Sequence, residues 1–163
     1  MDPKIVGGSD VGENQYPWFA QIMVYAEIQG REELVLGCGG SLITERVVAT
    51  AAHCLKPNFP LSWGVEKIIF RVALGVHNIT WHDPDFDRQN LVDIKELIAH
   101  EDWNEDWSKT KPPAIFDFAL IILKNPVKFS KTISILCLPM KGELARIERE
   151  ENIMVGSGGS QIW

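Results

Sequence analysis

Cys38 to Cys54 reads C-G-G-S-L-I-T-E-R-V-V-A-T-A-A-H-C, which places two cysteines, two short apolar runs and a histidine within seventeen consecutive residues. The runs Leu42-Ile43 and Val47-Val48-Ala49 are partly β-branched and suit core strands on either side of a turn at Thr44-Glu45-Arg46. A hairpin of that shape would bring Cys38 beside Cys54. A bridge closing a loop of this length stabilises a domain by roughly 3 kcal/mol through the unfolded chain, provided it forms without strain. One covalent staple would then fix the position of one titratable side chain, His53.

C-G-G-S-L-I followed by T-A-A-H-C resembles the chymotrypsin/trypsin family of serine proteases, peptidase S1. The resemblance implies that His53 is the general base, with the small residues Ala51 and Ala52 letting the backbone turn tightly and present the imidazole. It also implies a disulfide between Cys38 and Cys54. His77, His82 and His100 stand in no such pattern, and surface or core roles suffice for them.

The chain has 163 residues, 45% of them apolar, enough for one ordinary domain or a little more with a sizeable core. Its net charge of -6 argues against a nucleic-acid or anionic-membrane partner. No run approaches transmembrane length. Met1-Asp2-Pro3-Lys4 has no apolar stretch of the kind a secretion signal carries. Yet a cysteine pair at staple spacing and the glycosylation sequon Asn78-Ile79-Thr80 fit an oxidising, extracellular setting. The expectation is a secreted protein whose leader has been lost.

Ile5-Val6-Gly7-Gly8 follows Lys4 directly, and Gln15-Tyr16-Pro17-Trp18 follows in turn. Both match the family's order. The resemblance implies zymogen activation by cleavage between Lys4 and Ile5, the freed isoleucine ammonium turning inward to meet a carboxylate and order the oxyanion site.

Strands are expected at Phe19 to Tyr25 and Leu34 to Leu36, joined by a hairpin turn through Gln29-Gly30-Arg31. Further strands are expected at Ile68 to Leu74, broken by Gly75, at Leu91 to Ile98, and at Phe118 to Leu123, ended by Asn125-Pro126. Leu55 to Gly64, with Pro57 and Pro60, reads as a surface loop. Short strands at loop-separated intervals, with no long helical period before residue 140, predict an all-β barrel. The resemblance sharpens this to an antiparallel Greek-key β-barrel, the first of the two barrels of a trypsin-like fold. Residues 1–4 are then a propeptide remnant, 5–139 the first barrel, and 140–163 a linker and the first strand of an incomplete second barrel.

Trp81-His82-Asp83-Pro84-Asp85-Phe86-Asp87 carries alternate aspartates. It fails as an EF-hand loop, since Arg88 stands where glycine is needed and Ile94 where the last carboxylate belongs. Leu74-Gly75-Val76-His77-Asn78-Ile79 opens like the family's calcium loop, but Val76 replaces the first carboxylate ligand. A solvated acidic loop is expected, with no metal and no cofactor.

Asp117 stands in Phe116-Asp117-Phe118-Ala119-Leu120-Ile121-Ile122-Leu123. A carboxylate heading so apolar a strand is expected to be buried, and burial without a partner is costly. The resemblance supplies one: the family's aspartate accepts from the histidine Nδ1–H and fixes its tautomer and orientation. The His53 to Asp117 gap is longer than usual, with the excess assigned to the loops at Pro57 to Gly64 and Trp103 to Pro113.

Ser134-Ile135-Leu136-Cys137-Leu138-Pro139 resembles the segment that ends the family's first barrel, where the cysteine commonly bridges to a propeptide or regulatory domain. Cys137 is therefore expected to be unpaired here, a point of disulfide or non-covalent contact for a partner. Gly156-Ser157-Gly158-Gly159 lacks the aspartate that precedes the family's nucleophile, and Ser160 replaces the proline that follows. Ser157 also lies 40 residues after Asp117, where the family needs roughly ninety. Val155 to Gly159 fits a strand of the second barrel instead. Lys141 to Asn152, rich in Glu and Arg, reads equally as helix or charged linker.

Two functions are open. One is a truncated or splice form of a trypsin-like endopeptidase acting on protein or peptide substrates, inert as this chain because nucleophile, oxyanion hole and specificity pocket are missing. The other is a non-enzymatic homologue acting as a binding or regulatory module. Either way this half is expected to expose apolar surface.

Overall fold

A computed structural model describes residues 11–55, 63–77, 90–103, 116–141 and 143. Lys4, Ile5, Asn78, the Trp81 to Asp87 loop, Ser157 and Ser160 lie outside the described residues, as does most of Lys141 to Asn152.

Among the described residues, seven strands and one helical turn follow in the order β1 (Phe19–Ile28), β2 (Arg31–Thr44), β3 (Val47–Thr50), α1 (Ala52–Leu55), β4 (Val65–Leu74), β5 (Leu91–Val92), β6 (Ile94–Ala99) and β7 (Ala119–Leu123). All the pairings are antiparallel. The spatial order is β5-β4-β1-β2-β3-β7-β6. Within it β4-β1-β2-β3 is a Greek key, three hairpin-linked strands with the fourth returning beside the first. The two ends of the order, β5 and β6, are consecutive in the chain and separated by Asp93 alone. One interrupted strand therefore serves both edges and curls the sheet toward closure as a barrel, which removes the exposed edges of an open sheet.

Alternation along the strands decides what faces inward. On β1, Ala20, Ile22, Val24 and Ala26 share one face and are fully buried. Leu42, Val48, Val72, Leu74, Ala119, Ile121 and Leu123 meet Ala20 and Ile22 in one core, joined by Ala52, Leu55 and Trp103. Full burial of each larger aliphatic side chain contributes about 1.5–3 kcal/mol.

The β1–β2 hairpin turns on two residues, Gln29 at φ 51° and Gly30 at φ 71°, with Ile28 opposite Arg31. Left-handed backbone at both central positions matches the twist of the flanking strands. Gly75, at φ 69°, stops β4 where the sequence expects a break.

Several expected strands differ in extent. Leu34–Leu36 and Leu42–Ile43 belong to one strand of 14 residues, because Gly37 to Ser41 pair throughout with Met23 to Phe19. Leu91–Ile98 is interrupted at Asp93, whose carbonyl accepts from Lys124 N–H at 2.8 Å. The last strand begins at Ala119 and leaves Phe118 49% exposed. Phe116, Phe129, Leu138 and Met140 are exposed as well.

Candidate active site

The register of β3 against β7 builds the site. Thr50, the last residue of β3, lies opposite Ala119, the first of β7. His53 follows Thr50 by three residues and Asp117 precedes Ala119 by two, so antiparallel pairing brings residues 64 apart in sequence to the same rim of the barrel. α1 then turns the His53 side chain outward while Ala52, Cys54 and Leu55 face the core.

Two further devices fix the rim. Cys38 on β2 is bonded to Cys54 on α1, Cα to Cα 6.2 Å, so the helical turn carrying His53 is tied to a central strand. Phe118 N–H donates to Phe116 O at 2.7 Å, folding the chain sharply at Asp117, and Phe116 takes φ 64°. Left-handed backbone at a bulky residue costs of order 1–3 kcal/mol and persists only where surroundings enforce it. Here the Phe116 ring stacks on His100, centroids 4.7 Å apart and planes 14° from parallel. His100 N–H also donates to Phe118 O at 2.9 Å.

Asp117 meets His53 at two atoms. Oδ2 lies 2.7 Å from Nδ1, and Oδ1 accepts the His53 backbone N–H at 2.9 Å. The Asp117 carboxyl is pushed up by desolvation, the largest single influence on it. The hydrogen bonds from the His53 ring and backbone, the electrostatic attraction of that ring and the Ala52 N–H together outweigh that and hold it below the ordinary carboxylate range. Because a carboxylate can only accept, the His53 proton sits on Nδ1 and the lone pair on Nε2. The side chain of His53 is 49% exposed, and its Nε2 lies 3.4 Å from Cys54 Sγ.

The expectation of a buried Asp117 needs correction, since its side chain keeps 20% of its exposure. It stands in the turn ahead of β7 and not within the strand, and its hydrogen bonds supply what burial alone would deny. Among the described residues Cys137 is the free cysteine, and it is exposed. Three contributions escaped the sequence. The strained Phe116 backbone and the His100–Phe116 stack carry no motif. The third, Cys54 Sγ at 3.4 Å from His53 Nε2, was signalled only by the adjacency of the two residues.

The curled antiparallel sheet is that of a trypsin-like β-barrel. The trypsin family model matches residues 5–160, and the chain belongs to that family of serine proteases, peptidase S1. It is similar to chymotrypsin-C of Rattus norvegicus, 34% identical over 146 residues, covering 88% of this chain and 46% of that protein. It is also similar to CLIP domain-containing serine protease B4 of Anopheles gambiae, 34% identical over 88% of this chain and 38% of that protein. Phenoloxidase-activating factor 3 of Holotrichia diomphalia is 29% identical over 98% of this chain and 43% of its own length. The chain thus spans less than half the length of these relatives. Among the described residues, no helix is long and apolar enough to cross a membrane.

Proposed function

We propose that His53 is the general base, and Asp117 its orienting acid, in a trypsin-like serine endopeptidase that hydrolyses peptide bonds in protein or peptide substrates. The observation that carries this is the double hold of Asp117 on His53, at Nδ1 and at the backbone N–H. It leaves the Nε2 lone pair as the end of the ring that takes a proton from a serine hydroxyl as that oxygen attacks the scissile carbonyl. The carboxylate then stabilises the imidazolium until the proton passes to the leaving amine.

These 163 residues by themselves are inactive in this proposal. They carry the base and its carboxylate, while the nucleophile, the oxyanion-hole amides and the specificity pocket belong to a second barrel. Ser157, in Gly156-Ser157-Gly158-Gly159, is not the nucleophile in this proposal. Cleavage between Lys4 and Ile5, secretion, and glycan attachment at Asn78 belong to the same proposal. The Cys38–Cys54 bridge supports an oxidising compartment, and the exposure of Cys137 supports a partner reached through that thiol.

Sequencing the transcript past the codon for Trp163 tests the proposal. A reading frame continuing into Gly-Asp-Ser-Gly-Gly-Pro is expected, and a stop codon there would leave a binding role in its place. A fluorophosphonate probe tests inertness: no labelling of the 163-residue chain is expected, and a label on Ser157 or Ser160 would overturn it.

A further inference from the structure

Asp117 occupies the Nδ1 side of the His53 ring and so presents the Nε2 lone pair, which lies 3.4 Å from Cys54 Sγ. One ring nitrogen of His53 and the sulfurs of Cys38 and Cys54 all lie within 4.8 Å of one another. In the oxidised chain both sulfurs are spent on each other. We propose that reduction of the Cys38–Cys54 bridge turns this corner into a binding site for a borderline-soft divalent cation, Zn2+ foremost, held by two thiolates and His53 Nε2.

Three observations converge on it. Ligand spacing fits for the histidine: Zn–S bonds of about 2.3 Å and Zn–N bonds of about 2.0 Å at a tetrahedral angle put nitrogen and sulfur about 3.5 Å apart, close to what His53 and Cys54 already show, while the two sulfurs, bonded in the oxidised chain, part on reduction. The outer partner fits as well, since ligating histidines characteristically donate their other ring N–H to a carboxylate, the place Asp117 holds. Charge is balanced too. A dication with two thiolates and a neutral imidazole adds no net charge beside the buried Cys54, and thiolate with imidazole selects Zn2+ over Mg2+ or Ca2+. Exposure of the His53 ring leaves a fourth position for water.

The redox step is an ordinary exchange with a dithiol. One reductant thiolate attacks Sγ of Cys38, the half-buried and more accessible sulfur, breaking the Sγ–Sγ bond and releasing Cys54 as thiolate. The second reductant thiol displaces Cys38, and the reductant leaves as its disulfide, having given up two electrons and two protons. Metal binding returns those two protons to solvent from the cysteine thiols. On the proposed function, the bound ion would occupy the nitrogen needed as base wherever a dithiol reductant reaches the bridge.

Co2+ titration of the Cys137→Ser chain, oxidised and dithiol-reduced, tests the site, with the fold followed by far-UV circular dichroism. The reduced chain is expected to bind one ion with thiolate-to-cobalt charge-transfer and tetrahedral d–d absorption, to lose both to Zn2+, and to melt at a higher temperature with Zn2+ present. The oxidised chain is expected to show neither band. His53→Ala should weaken binding at least tenfold, and Asp117→Asn by about 10- to 100-fold. Equal affinity in His53→Ala would overturn the proposal, because the thiolates alone would then be the site. Absence of the bands from the reduced chain would also overturn it, including where the reduced chain has lost its β signal.

Discussion

Asp117 grips His53 at two points, side chain to ring nitrogen at 2.7 Å and side chain to backbone N–H at 2.9 Å. A carboxylate that only balanced charge would need the first contact alone. The second fixes the carboxylate relative to the peptide that carries the ring, so position and tautomer are set together.

Asp117→Asn should separate the two functions. The carboxamide oxygen can still accept the His53 backbone N–H, which turns its NH2 toward Nδ1 and forces that nitrogen to accept. The ring proton then moves to Nε2, the end that must be free in a base. Nitrogen-15 NMR of the imidazole should show Nδ1 protonated in the wild type and Nε2 protonated in the variant. In a complete hydrolase the same exchange costs about 10⁴ in kcat.

Acid should weaken the fold through the same carboxyl. Its folded-state pKa lies below the ordinary value of about 3.9, so the native state binds its proton more weakly than the unfolded chain does. The stabilisation is therefore complete above the unfolded value and is lost as pH falls through the folded one. Urea unfolding from about pH 6 down to about pH 2 should show the wild type losing more stability than Asp117→Asn, and equal slopes would contradict the linkage.

Much of this was legible because barrel strands announce themselves by alternation and the site by T-A-A-H-C and F-D-F-A-L. What stayed hidden was set by partners distant in sequence. Gly37-Cys38-Gly39-Gly40 looks like a break between two short strands, yet β1 supplies a pairing partner at every one of those positions. Asp93 looks like one polar residue within a strand. It becomes a boundary because the flanking halves pair with β4 on one side and β7 on the other. Asp117 looked buried because the apolar run follows it at once, whereas the turn at Phe116 lifts it to the rim.

Removing the staple should cost about 3 kcal/mol, the loop-closure entropy returned to the unfolded chain. Cys38→Ala with Cys54→Ala is the suitable pair, since Cys54 is buried and a lone thiol would invite exchange with Cys137. Denaturant unfolding should give a lower midpoint with a slope unchanged or somewhat steeper, as the unfolded chain loses its cross-link, and a shallower slope would mean that the folded state itself has loosened.

Gly40 carries the most specific packing constraint in the C-G-G-S segment. A Cβ built there would lie 2.8 Å from Val48 Cγ1, 2.9 Å from the Ala49 carbonyl oxygen and 3.2 Å from Ile22 Cδ1. Ile22 and Val48 are fully buried core residues and the third neighbour is backbone, so none has room to retreat. Gly40→Ala should therefore destabilise the chain by about 1–3 kcal/mol, although alanine ordinarily suits a strand better than glycine does. The control is Gly39→Ala, where the nearest atom is Cε2 of the Phe19 ring at 3.2 Å, a side chain able to swing aside. Thermal unfolding of the two variants should rank Gly40→Ala well below Gly39→Ala. The reverse order would mean that β2 and β3 lie farther apart at this point than the packing of Gly40 against Val48 requires.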